Sequence, residues 1–331
     1  MSSAQGEAKT SRKLRSTLFN IAKVVVSAGM LAYVLFVQVD LRELAQVVAE
    51  ARWGFLAAAA LVAIAGVALR AVRWLALLRG LQIDVPLGRL VNLYFVGSFF
   101  NTFLPTSFGG DAIRMVELAR HSKKAPEAIG TVLLDRANGL WVLFIPGLLA
   151  LPLAARSIPS RTVILLAAVY AAGVAGGWVA MGTGLIPWLG SKVRLPGQAK
   201  LERFYRTVSG CGAVALAQAS AVSLMFNLMQ ITVRYLIALG LNVRLPFGIF
   251  VAFAPILSAV LLFPSIGGLG VSEMAHTLAY GTVDVESPAA TAMSLVRFGV
   301  QTLIPGLIGG LLYLAEGATG VRGQAQTELQ E

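Results

Sequence analysis

Apolar residues run along this chain in blocks of about 20, the length that carries an α-helix across the hydrocarbon core of a bilayer. Six blocks reach that length: 18–39, 53–74, 128–153, 162–181, 212–239 and 288–315. Two more runs, 87–104 and 246–263, fall at the margin. Each of these two ends in a proline followed by glycines, PTSFGG at Pro105–Gly110 and PSIGGLG at Pro264–Gly270. Proline lacks the N–H that a helix needs, so the pattern predicts helices that enter the membrane, break and turn back. Segment 41–52, LRELAQVVAEAR, mixes apolar and charged residues at helical spacing and predicts an interfacial helix on the outer side. Segment 182–206 is the longest polar stretch and reads as a cytoplasmic loop with a short amphipathic helix, and 320–331 as a frayed tail.

Composition agrees with a bilayer. Of 331 residues, 57% are hydrophobic and 13% charged, against roughly a quarter charged in soluble domains. The mean hydropathy is +0.76. An ordinary cytosolic enzyme, a disordered chain and a disulfide scaffold are excluded. One cysteine, Cys211, and two histidines, His121 and His276, make no zinc cluster, and no cofactor is expected. The net charge of +11 does not point to nucleic acid, because the basic residues sit between apolar blocks. The polar, basic start and the first apolar run read as a retained anchor rather than a cleaved signal.

The distribution of Lys and Arg sets the topology. With the N-terminus inside and both marginal runs re-entrant, 19 of the 27 fall in cytoplasmic loops, five in outer loops, and three, Arg136, Arg234 and Arg297, within spans. If both runs crossed fully, the clusters at Arg114–Lys124 and Lys192–Arg206 would move outside. The positive-inside bias favours six spans and two re-entrant elements, with both termini cytoplasmic.

The chain also repeats itself at an offset of 158 to 161 residues. GLQIDVPLG at Gly80–Gly88 matches GLNVRLPFG at Gly240–Gly248, and VRWLALLRGL from Val72 resembles VRYLIALGL from Val233. Arg73 thereby pairs with Arg234, Pro105 with Pro264, LDR at Leu134–Arg136 with LVR at Leu295–Arg297, and IPGLL at Ile145 with IPGLI at Ile304. Each half holds three crossings, an odd number, so the second half must be inverted relative to the first. The expected fold is an all-α integral membrane protein built as an inverted repeat, with three spans and one re-entrant element per half. The expected divisions are a basic N-terminus over 1–17, repeats over 18–155 and 156–318, and a cytoplasmic tail over 319–331. Inverted repeats with broken helices are an alternating-access architecture; a duplication kept only for packing is the plainer alternative.

RAVRWLALLRG, YFVGSFFNTFLPTSFGGDAIR at Tyr94–Arg114 and FPSIGGLGVSEMA at Phe263–Ala275 resemble the flippase-like membrane domain of lysyl-phosphatidylglycerol synthases, which also occurs as standalone inner-membrane proteins. The resemblance covers about Leu14 to Ala318. It implies lipid handling, with lipid flipping as the role of the membrane domain. In the synthases a soluble aminoacyl-transfer domain follows; this sequence stops at Glu331, so the expectation is a protein without that enzymatic activity.

Charged groups inside spans are costly and mark function or pairing. Arg136 follows Asp135, and neighbours on a helix face different ways, so each needs its own partner. Arg73 and Arg234 lie near the ends of equivalent spans, where Arg73 could equally snorkel to the cytoplasmic interface. The residues expected to meet a headgroup are Arg73, Arg114, Arg136, Arg234 and Arg297, with Asn101, Asn227 and Gln230 beside them; Arg136 and Arg297 could instead bond to freed carbonyls of the breaks or to Asp111 or Glu273. The breaks at Pro105, Gly109 and Gly110, and at Pro264, Gly267, Gly268 and Gly270, are expected hinges that could cradle phosphate on free N–H groups. Asp111 and Glu273 could instead cap the following helices and hold Arg114 or a span arginine. Asn101, Asn227 and Gln230 suit interhelical hydrogen bonds as well as ligand contact. His276 could carry a proton or simply be solvated.

The function expected is therefore binding and translocation of an anionic lipid, a phospholipid or a polyprenyl-phosphate-linked glycan, across a bacterial or archaeal plasma membrane. No G-x-x-x-x-G-K-[ST] occurs, so transport would run downhill or on an ion gradient. The alternatives are a non-catalytic scaffold for a lipid or glycan synthase partner and a membrane-embedded lipid transferase.

Overall fold

The computed structural model describes residues 41–103, 109–121, 125–182, 198–263 and 268–315. These residues are almost wholly helical. The elements are α1 (Leu41–Ala49), α2 (Trp53–Gly80), α3 (Leu87–Phe103), α4 (Gly109–His121), α5 (Ala125–Ala154), α6 (Ser160–Gly182), α7 (Gln198–Gly240), α8 (Phe247–Ala259), α9 (Val271–Gly281) and α10 (Ser287–Phe298). A 3₁₀ turn, Val260–Leu262, extends α8, and a π turn, Gly299–Leu303, links α10 to a last helix over 304–315.

Five helices are long and apolar enough to cross a membrane: Trp53–Gly80, Ile129–Ala154, Ser160–Ala180, Arg206–Gly240 and Ser287–Ala315. They coincide with five of the six expected spans; the sixth, 18–39, lies outside the described residues, as do 1–17 and 319–331. Each crossing carries large apolar side chains on its outer surface, among them Leu61, Leu149, Ile164, Val214 and Leu311, all 69–73% exposed. A water-soluble bundle would bury these; acyl chains cover them here. The segment expected to form an interfacial helix is helical over Leu41–Ala49, as α1. The polar stretch 182–206 departs from expectation in one respect. Its described part, 198–206, is helical as expected, but that helix runs on to Gly212, a glycine with the non-helical φ 75° and ψ 158°, where it meets the span at a kink within α7. Positive φ costs a glycine nothing, so the chain turns there at little expense.

The sequence repeat has a local structural counterpart. Helices α2 and α7 end alike, with Leu81 and Leu241 donating to Leu78 and Ala238, and Ile83 and Val243 donating to the same two carbonyls. Gln82 and Asn242, 160 residues apart, both take a left-handed φ, 56° and 59°. These two helices also share the most extensive interface in the bundle.

The two short apolar helices are each followed within a few residues by a second helix, α3 by α4 and α8 by α9. Pro105, Pro264 and Gly267 lie outside the described residues between them. Helix α3 rises about 26 Å and falls short of a ~30 Å hydrocarbon core. Each short helix lies against the last crossing of the opposite half. Helix α3 packs on 304–315, where a Cβ at Gly309 would collide with the Phe95 carbonyl and one at Gly306 with Thr102. Helix α8 packs on α5, where Pro255 covers Gly147, the repeat mate of Gly306. Glycine thus lets backbones approach where a side chain would hold them apart.

Candidate functional site

Asp135 on α5 is fully buried, and an unpaired carboxylate there would be prohibitive. Three groups converge on it. Arg73 of α2 donates from Nε to Oδ1 at 2.6 Å, while Arg114 of α4, from Nη2 at 3.1 Å, and the Tyr94 hydroxyl of α3 both donate to Oδ2. Four elements are thereby tied to one carboxylate. The Arg114 guanidinium is stacked against Trp74 and Tyr94, at 4.1 and 3.8 Å from the ring centroids, and also reaches Asp111 at 3.3 Å. Asp111 pairs in turn with Arg136. The adjacent Asp135 and Arg136 therefore do take different partners, as helix geometry requires. Arg73 continues to Ser223 of α7 at 3.3 Å, and Ser223 donates to Asn138 at 2.6 Å.

The second half is wired differently. Arg234 of α7 donates to the Ser258 hydroxyl of α8 at 3.0 Å, and Arg297 of α10 to Ser272 of α9 at 3.0 Å. Glu273 accepts from the Gly270 N–H at 2.5 Å and from Ser294 at 3.0 Å. It caps α9, as expected of it, and meets Arg297 only through the bonded pair Ser272–Ser294. Gly268 and Gly270 have φ of 87° and 82°, so this break needs glycine at both positions. At the other break, Gly110 donates to Asn101 at 2.8 Å, and its missing Cβ makes room for the Gly97 carbonyl.

Between the halves lies a cavity of about 540 Å³. Its wall includes Arg70, Arg73, Arg136, Arg234 and Arg297, together with Asn101, Asn227 and Gln230. No lining residue is acidic, and Leu140, Leu143, Phe226 and Leu261 provide an apolar side. Both breaks border it, through Asn101 near the end of α3 and Gly268 just before α9. Ser223, which Arg73 touches, and Arg234 are eleven residues apart on α7, about 16 Å along its axis. The arginines are thus spread over roughly half the thickness of a hydrocarbon core.

Seven of the eight residues expected to meet a headgroup line this one cavity. The eighth, Arg114, does not; it is held behind the wall by Asp111 and Asp135. Arg73 is 3% exposed and ion-paired, so it does not snorkel to the interface. His276 is not solvated: it is 2% exposed, with Nδ1 2.7 Å from the Ser272 carbonyl. Asn227 donates to the Gly139 carbonyl at 3.1 Å and Gln230 accepts from Gln301 at 2.7 Å, so both join helices and face the cavity. Sequence reasoning missed Arg70, Tyr94, Ser258 and Gln301. Arg70 could have been found, since it stands one helical turn before Arg73. Tyr94 carried no signal beyond aromaticity.

Fold and site together define a multi-pass α-helical membrane protein with a cationic cavity inside its bundle. The chain belongs to the family of the lysylphosphatidylglycerol synthase TM region, which it matches over residues 20–309. No curated protein matches it.

Proposed function

We propose that this protein binds an anionic membrane lipid and moves its headgroup across the bilayer through the arginine-lined cavity. The observation that carries the reading is the wall itself: five arginines, no acidic residue and an apolar side, at a depth where charge is expensive. A phosphate crossing hydrocarbon must stay paired, and arginine offers two parallel donors in a fixed fork while remaining protonated. Leu133 and Leu262 line the cavity and are 43% and 46% exposed, an apolar rim for the lipid tail. In this reading the two breaks are re-entrant hinges of an inverted repeat, one opening from each side. The protein sits in a bacterial or archaeal plasma membrane with both termini cytoplasmic, acts without covalent catalysis, and can serve a lipid or glycan synthase as partner.

The test is transport of fluorescent phosphatidylglycerol in vesicles reconstituted with wild type, Arg136→Lys and Arg297→Lys. Both variants should melt within a few degrees of wild type in detergent yet bind and move the lipid more slowly. Wild-type binding and transport per folded molecule in both would refute the arginine role. Product formation from the lipid would replace transport with catalysis.

A further inference from the structure

We propose that the headgroup seated in the cavity carries at least two negative charges, as a phosphomonoester or diphosphate lipid does, and rests between Arg234 and Arg297. This builds on the anionic-lipid reading above and narrows it.

The six arginines around the cavity fall into two groups. Arg73, Arg114 and Arg136 each contact a carboxylate of Asp111 or Asp135. Arg70, Arg234 and Arg297 contact none among the described residues. Arg70 is half-buried over the rings of Tyr94 and Phe226, at 4.7 and 5.7 Å. Arg234 and Arg297 are 6% and 3% exposed, and each has only a serine hydroxyl as partner. Among the described residues the Nε–H of each is buried without an acceptor, as is that of Arg114, while Arg136 turns its Nε to Asp111; only Arg234 and Arg297 also lack a carboxylate contact. Glu273, the buried carboxylate of α9, is hydrogen-bonded by Gly270 and Ser294 and touches neither guanidinium.

The asymmetry is written into the repeat. The residue preceding Arg136 is Asp135, whereas the residue preceding its mate Arg297 is Val296. The first half therefore pairs its arginines directly with carboxylates, whereas in the second the one buried carboxylate, Glu273, reaches Arg297 only through Ser294 and Ser272 and leaves Arg234 without any. Buried, unmatched guanidinium groups are costly, and a ligand supplying the missing acceptors and charge removes that cost. Gly268, which lines the cavity, stands beside this group: the Arg297 guanidinium lies 4.0 Å from where its Cβ would be.

Charge matching then selects the headgroup. A phosphodiester brings one negative charge to Arg70, Arg234 and Arg297, whose three positive charges are offset nearby by the one buried carboxylate of Glu273. A phosphomonoester brings about 1.5 to 2 at neutral pH, and a third acceptor oxygen. An aminoacylated headgroup brings an ammonium group into a wall with no acid to receive it, which repels it.

The full chain, in nanodiscs of phosphatidylcholine, is titrated with phosphatidic acid, phosphatidylglycerol and lysyl-phosphatidylglycerol, and binding is read by native mass spectrometry. Phosphatidic acid should bind at least tenfold more tightly than phosphatidylglycerol, and the lysyl lipid should bind most weakly. Arg234→Gln and Arg297→Gln should each bring phosphatidic acid down towards phosphatidylglycerol, with Arg→Lys recovering part of the difference. Equal affinity for the first two lipids, or tighter binding of the lysyl lipid, overturns the inference and leaves the anionic-lipid reading standing. No binding of any lipid overturns both. Glycerol 3-phosphate binding as tightly as phosphatidic acid would make this a site for a soluble phosphate and also overturn the proposal. The wild-type lipid ranking decides the matter even if a glutamine variant fails to fold.

Discussion

Asp135→Asn should destabilise the protein without removing any side chain that lines the cavity. The carboxylate is fully buried, does not line the cavity, and holds Arg73 at 2.6 Å and Arg114 at 3.1 Å. Asparagine fits the same space but leaves two buried guanidinium groups short of their counter-charge. Removing one partner of a buried pair costs about 3–5 kcal/mol, because the other charge stays behind. Asp111 still contacts Arg114, so most of the loss falls on Arg73. At roughly 2 °C per kcal/mol for a chain of this size, the melting temperature in detergent should drop by about 5–10 °C. Arg73→Met added to Asp135→Asn should recover part of that drop, since the stranded cation is then gone, and a double-mutant cycle measures the coupling. Lipid affinity per folded molecule should stay within a few-fold of wild type. An unchanged melting temperature combined with lost lipid binding would refute this reasoning and make Asp135 part of the ligand or coupling machinery.

Arg234→Met should act with the opposite sign, raising or preserving the melting temperature of the lipid-free protein while reducing lipid binding tenfold or more, because it removes a buried cation that has no carboxylate partner. Gly110→Ala should destabilise by about 2 kcal/mol or more, since its Cβ would strike the Gly97 carbonyl, whereas Gly54→Ala, with open space around it, should be neutral or gain up to about 1 kcal/mol in thermal melts. In a Cys211→Ala background, an impermeant thiol reagent added to intact cells should label Arg161→Cys and not Lys123→Cys. Labelling at Lys123→Cys from outside would sink the re-entrant reading of α3 and favour eight full crossings.

The crossings were legible because a bilayer imposes a length and an apolar content that soluble folds do not. Proline and glycine at the ends of two runs marked where helices stop, and α3 and α8 do end there. The wall arginines could be flagged because cations inside apolar runs need a reason. Their sorting could not be read, because it depends on packing between distant segments. Arg73 meets Asp135 across 62 residues and Ser223 across 150. Arg114 lies in a polar stretch that reads as loop, yet packing turns it inward behind the wall. His276 misled for a related reason: its own segment is short and mixed, and burial comes from α10 folding over it through Ser272 and Ser294. The bend at Gly212 escaped notice because one glycine among 34 carries no mark of its dihedral angle.

Helix α3 rests on glycines of the second half's last crossing, and α8 rests on Gly147 of the first half's. Neither half can close its own core. A half made alone would leave one groove open and one short helix unhoused, the complementary parts of a single joint. In the inverted arrangement proposed above, two copies of such a half inserted in opposite directions would complete each other through that joint, as subunits of a self-complementary dimer do. In that arrangement the cavity lies along the seam between the two halves, and the seam is unlike on its two sides at one matched position: Asp135 stands in a fixed lattice of ion pairs, and Val296 stands where its counterpart would be.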